Sequence, residues 1–205
     1  MLDVNPRKSP RQARARATVD AIVEATTQLL LQEGYERFTT ARAAERAGVS
    51  IGSLYQYFPN KAALATAVID RCCDDFLAVF RDSLARREGR ALADRIDAII
   101  AGNLISHRLT PGLHRIVNEL APQIGVAGKA ARVSRSVAML IEALLREHAE
   151  ELSPDIDLAT AASIIQVVLE ALSHRIRIHD PQLLPDDILA REAHRLITRY
   201  LGIAG

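Results

Sequence analysis

Apolar side chains recur at three- and four-residue intervals along most of the chain, and the every-second-residue alternation of a half-buried strand is scarce. The pattern predicts an all-α fold. Val19, Ile22, Val23, Thr26, Leu29 and Leu30 form one stripe and predict a first helix over residues 14–33, ended by Gly34. Leu64, Val68, Cys72, Phe76, Val79, Phe80 and Leu84 predict a long helix from Lys61 to Arg87, with Gly89 beyond it. Unbroken, that helix spans about 40 Å and links the front of the chain to the rest. Further helices are expected over 90–108, 112–120, 128–150, 156–178 and 186–202, with Pro111, Pro122 with Gly125, Ser153-Pro154 and Asp180-Pro181 at the breaks. Ser153 or Asp155 suits the cap of the 156–178 helix, and Pro185 the first turn of the last helix.

Residues 38–61 carry the densest signal. Two short helices are expected there, joined at Ala47-Gly48-Val49-Ser50. Gly48 can take the positive φ of a sharp reversal, and Ser50 and Thr39 are good N-caps for the helices that follow them. Pro59 ends the second helix by disfavouring helical geometry at Phe58, and Asn60 caps the helix from Lys61. Leu54 and Phe58 share the buried face of the second helix, while Gly52 and Ser53 keep its exposed end narrow. This is the build of a helix-turn-helix whose second helix enters the DNA major groove.

Gly34-Tyr35, Thr39-Thr40, Ala44-Glu45-Arg46-Ala47-Gly48-Val49-Ser50, Gly52, Leu54-Tyr55, Tyr57-Phe58-Pro59-Asn60-Lys61 and Leu64 resemble the DNA-binding domain of TetR-family transcriptional regulators over residues 16–64. The resemblance implies an all-helical homodimer with an N-terminal three-helix helix-turn-helix domain and a C-terminal helical domain for ligand binding and dimerisation. Carried over, it puts base reading at Ile51, Gly52, Ser53 and Gln56 and phosphate contacts at Thr40, Tyr55, Tyr57 and Lys61. The caps Thr39 and Ser50 and the extra cation Arg42 complete the candidate DNA-binding set. Arg42 and Ala43 depart from the family pattern, which favours an acidic residue and a larger aliphatic there. The expected division is a disordered basic arm at 1–13, a DNA-binding domain at 14–60, and a ligand-binding and dimerisation domain at 61–205 that begins with the linking helix 61–87.

Charge agrees with that division. Residues 1–61 carry nine Lys and Arg against six Asp and Glu, whereas the remainder carries 17 against 19, within a net charge of only +1. Arg7, Lys8, Arg11, Arg14 and Arg16 make a basic arm that either follows the DNA backbone or is a solvated tail. The two cysteines, Cys72 and Cys73, are adjacent and suit a reducing, cytoplasmic location. No apolar run reaches membrane-spanning length, and no phosphate loop, HExxH or spaced CxxC pair occurs, so no membrane, cofactor, metal or enzymatic role is expected.

The 156–178 helix is apolar on nearly all sides and needs cover on two faces. A two-fold interface built with the last helix would supply it, through Ile164, Val168, Leu172, Ile197, Tyr200 and Leu201; the alternative is the central helix of a monomeric bundle. The candidate small-molecule site draws on Phe76, Phe80, Asn103, His107, Asn118, Met139, Leu140, Leu144, Gln166, Glu170 and His174. Few aromatics follow residue 64, namely Phe76, Phe80 and Tyr200, so a mainly aliphatic inducer is expected. Two functions are weighed: a ligand-responsive repressor released from a palindromic operator, and an all-helical binding protein or enzyme with a vestigial helix-turn-helix. Salt-dependent, sequence-selective DNA binding separates them.

Overall fold

The computed structural model describes residues 13–109, 111–174 and 184–203, without the side chains of 106–109, 111, 114, 115 and 174. The basic arm up to residue 12 and the expected break at Asp180-Pro181 lie outside the described residues. Among those described are nine α-helices and no strand: α1 Ala13–Arg37, α2 Thr40–Arg46, α3 Ile51–Tyr57, α4 Lys61–Ala85, α5 Leu92–Leu109, α6 Pro111–Gln123, α7 Gly128–Glu147, α8 Leu158–His174 and α9 Asp186–Leu201.

The chain forms two compact units, one of residues up to Cys73 with Gly112–Ala130, the other of Asp74–Pro111 with Ala131–Gly205. In the first, Ile22 and Leu29 of α1, Phe38, Leu54 of α3, Phe58 and Leu64 of α4 are fully buried together. The α1 stripe is buried as expected except Val19, which is only partly covered. Gly34 interrupts α1 at φ 78°, ψ 169°, so the stretch to Arg37 is a separate turn that swings Phe38 into the core. Leu120 of α6 closes the same core, with Leu113 and Ile116 packed beside it. Gly112 makes this possible. A Cβ there would lie 2.5 Å from the Leu31 side chain.

The second unit packs Phe80 and Leu84 of α4, Ile96, Ile99 and Ile100 of α5, Val137, Ile141 and Leu144 of α7, Ile165 and Leu169 of α8, and Leu189, Ile197 and Leu201 of α9. Three local expectations are corrected here. Asp157, not Ser153 or Asp155, caps α8, accepting from the Thr160 N–H at 2.8 Å. Pro185 is the residue before α9, extended at φ −58°, ψ 151°, not part of its first turn. Helix α6 runs through Pro122 to Gln123, because a proline so near the end disturbs only the final turn.

Candidate nucleic-acid interface

Local chemistry explains why residues 39–60 fold as they do. Thr39 is extended and its hydroxyl accepts from the Arg42 N–H at 3.3 Å, starting α2. Gly48 takes φ 68°, and the Val49 N–H returns to the Ala44 carbonyl at 3.0 Å, which closes the turn. Ser50 accepts from the Ser53 N–H at 3.1 Å, and the two hydroxyls meet at 2.8 Å. Such a cap is worth about 1 kcal/mol. Phe58 leaves helical geometry ahead of Pro59 at φ −122°, ψ 113°, and Asn60 caps α4 through the Ala63 N–H at 2.8 Å.

Leu54 and Phe58 anchor α3 in the core, so Ile51, Gly52, Tyr55 and Gln56 face outward together. Ser53 is partly covered by its bond to Ser50, and Tyr57 by its packing on the first core. The Thr40 and Tyr55 hydroxyls meet at 3.0 Å, joining the start of α2 to the outer face of α3. Nothing in the fold requires a glycine at 52: its φ is not positive, and a Cβ would meet only the Ser50 hydroxyl at 3.9 Å.

The cations around this face are tied to α1. Arg42 makes a two-pronged ion pair with Glu33, and Arg46 donates to Gln32 at 2.8 Å. Lys61 donates to the Glu36 carbonyl at 3.0 Å, with its ammonium 4.5 Å from the Tyr35 ring centre and 5.1 Å from that of Phe38. Burial, and secondarily the charge of Glu36, push the Tyr35 phenol above its ordinary range. Arg42 and Lys61, expected at the DNA, therefore also hold the domain together. Their acidic and carbonyl partners were not singled out in the sequence, because pairs 9 and 25 residues apart leave no periodic trace.

Residues 22–68 match the family description "Bacterial regulatory proteins, tetR family", and residues 91–201 match "Tetracyclin repressor-like, C-terminal domain". The chain belongs to the TetR family. It is 35% identical over 104 residues to the nucleoid occlusion factor SlmA of Haemophilus influenzae, spanning 51% of this chain and about half (47%) of that relative. It is 28% identical over 175 residues to the HTH-type transcriptional repressor ComR of Escherichia coli, spanning 80% and 82% of the two chains. The fold matches that of the fatty acid degradation regulator FadR of Bacillus halodurans (TM-score 0.72, 20% identity, 92% and 96% of the chains) and of a TetR transcription regulator of Haloarcula marismortui (TM-score 0.72, 18% identity, 91% and 97%).

In this TetR-family protein the remaining predicted residues fall into distinct settings. Asn103 of α5 is buried and accepts from the Ser173 hydroxyl of α8. Gln166 donates to Ser134 at 2.8 Å and to Glu170 at 2.6 Å, and Ser134 donates to Glu170 at 2.9 Å. Phe80 and Leu144 are core residues, Leu140 packs beside them, and the Phe76 ring stacks on Phe80 with centres 6.4 Å apart. Met139 is instead 69% exposed on α7, and Asn118 is exposed on α6 in the first unit. The side chains of His107 and His174 lie outside the described residues.

Of the six expected interface positions, Ile197 and Leu201 are corrected. Both point into the chain's own core and are closed to a partner, because the buried face of α9 is its Leu189-Ala193-Ile197-Leu201 row. Ile164 and Tyr200 are exposed, and Val168 and Leu172 are partly so. Val167, at 59% exposed, and Leu196 are exposed apolar residues on the same two helices that were left out of the expected set.

Proposed function

We propose that this regulator is a homodimeric repressor that binds a palindromic operator in the bacterial cytoplasm and is released from it by a small, mainly aliphatic inducer. The observation that carries the reading is the outward face of α3, where Ile51, Gly52, Tyr55 and Gln56 are exposed on the side opposite the core that Leu54 and Phe58 serve. Bases are read by Ile51, Gly52, Ser53 and Gln56, and phosphates are gripped by the Thr40–Tyr55 hydroxyl pair, Tyr57 and Lys61. The ComR relative, named a repressor, supports the negative sign of regulation.

The dimer reading rests on α8. Ala159, Thr160, Ser163, Ile164, Val167 and Val168 line an open, mostly apolar groove of about 480 Å³. A second copy of the same surface covers it, and two-fold symmetry then supplies two recognition helices about 34 Å apart for successive major grooves. The inducer reading rests on Asn103 and Gln166, polar side chains buried among apolar helices of the second unit, with the exposed Glu170 bonded to Gln166.

The test is nuclease footprinting of the protein on a duplex carrying its own upstream DNA. A protected palindrome, lost on raising the salt concentration, supports the reading. Failure to protect any sequence at low salt refutes it, and a monomer at micromolar concentration by light scattering refutes the dimer.

A further inference from the structure

We infer that Ile51 reads the 5-methyl group of a thymine in each operator half-site. The inference rests on the DNA-binding reading above and adds a base identity to it. Two independent observations carry it. Ile51 is 42% exposed at the start of α3 and, among the described residues, belongs to none of the buried apolar clusters, so a large part of its side chain is open to a partner in the free protein. Gly52 beside it is unused: its backbone is ordinary helix, and the space where a Cβ would stand is open. A glycine within a helix weakens it relative to alanine. That weakness has no return inside this domain, but it leaves clearance for the helix backbone to come close to base edges, which a side chain as short as isoleucine requires.

The chemistry of the surrounding tip narrows the target. The Ser50 and Ser53 hydroxyls are bonded to each other, and Ser50 also holds the Ser53 N–H. Ile51 offers only methyl and methylene groups. Of the four bases, thymine alone presents an apolar group in the major groove, at C5. An apolar side chain facing that groove gains by covering the methyl and gains nothing from the hydrogen-bonding edges of the other bases.

The experiment uses the full chain and a duplex operator obtained by selection from random double-stranded DNA. Each thymine of the operator is replaced in turn by deoxyuracil, which keeps every hydrogen-bonding group and removes only the methyl. One thymine per half-site should prove sensitive, with affinity falling about fourfold, the worth of one buried methyl-sized group. The same replacement should cost nothing with Ile51→Ala and should still cost affinity with Ile51→Val, both variants folded by circular dichroism. The Ile51→Ala protein should keep the native salt dependence, because no phosphate contact is lost. The inference is overturned if a bound operator shows no deoxyuracil-sensitive position, or if the Ile51→Ala protein suffers the same penalty. If selection yields no bound duplex at all, the DNA-binding reading falls and this one falls with it.

Discussion

The Lys61 ammonium lies 4.5 Å from the centre of the Tyr35 ring while donating to the neighbouring Glu36 carbonyl. It joins the first residue of α4 to the turn that follows the Gly34 break. A cation in this position is worth about 0.5–1 kcal/mol at a partly exposed site. Lys61→Met should lower stability in chemical denaturation by about that amount plus the hydrogen bond, roughly 1–2 kcal/mol in all. Operator affinity should fall, and the slope of log affinity against log salt should shrink by about one, because Lys61 is also placed at a phosphate. A native slope would instead leave Lys61 with a structural role alone.

Gly52→Ala should separate stability from function. Nothing crowds the new methyl, so α3 should gain about 0.5–1 kcal/mol, read as a rise in melting temperature. Operator binding, measured by fluorescence anisotropy, should weaken because the methyl fills the clearance next to Ile51. A variant that is both more stable and equally tight would remove any role for the glycine at the DNA.

Two sets of changes on α8 and α9 should behave oppositely. Ile164→Asp with Val167→Asp places charges on the exposed apolar face and should give a folded monomer by light scattering, with operator affinity greatly reduced. Ile197→Ala empties a fully enclosed site and should cost about 2–4 kcal/mol of folding stability without altering association of the protein that remains folded. A dimer that survives the paired aspartates would show that the groove on α8 is covered by something other than a second copy.

Acid should weaken the start of α8 through Asp157. The Thr160 side chain and N–H, hydrogen-bonding its carboxylate, hold that group below its ordinary range. A depressed carboxylate stabilises the fold above its unfolded value and loses that contribution as pH falls through the folded value. The loss therefore begins below about pH 3.9, the ordinary aspartate value. Asp157→Asn keeps a good capping residue and should show a flatter melting temperature on the acid side while matching the native protein at neutral pH. Equal acid sensitivity in both proteins would dismiss the cap as a source.

The helix-turn-helix was legible because its determinants are local. Thr39, Gly48, Ser50 and Asn60 each act within a few residues, and each makes the predicted bond or turn. Leu54 and Phe58 were legible as anchors for the same reason. Periodicity was less informative on α9, where Ile197 and Tyr200 are both large and apolar, yet one faces the chain's own core and the other solvent. Composition cannot rank two apolar faces of one helix. The Arg42–Glu33 and Ser173–Asn103 pairs depend on tertiary packing and have no sequence spacing to announce them. Met139 looked like pocket lining because it is apolar, although it sits on the outer side of α7.

Leu120, Leu113 and Ile116 of α6 complete a core whose other walls come from the first 73 residues. An amino-terminal fragment cut after α4 begins would expose the greasy underside that α6 normally roofs. Such a fragment is expected to be sticky and poorly folded, so swapping recognition helices between relatives is better done by grafting α2–α3 into the intact chain than by fusing severed front halves.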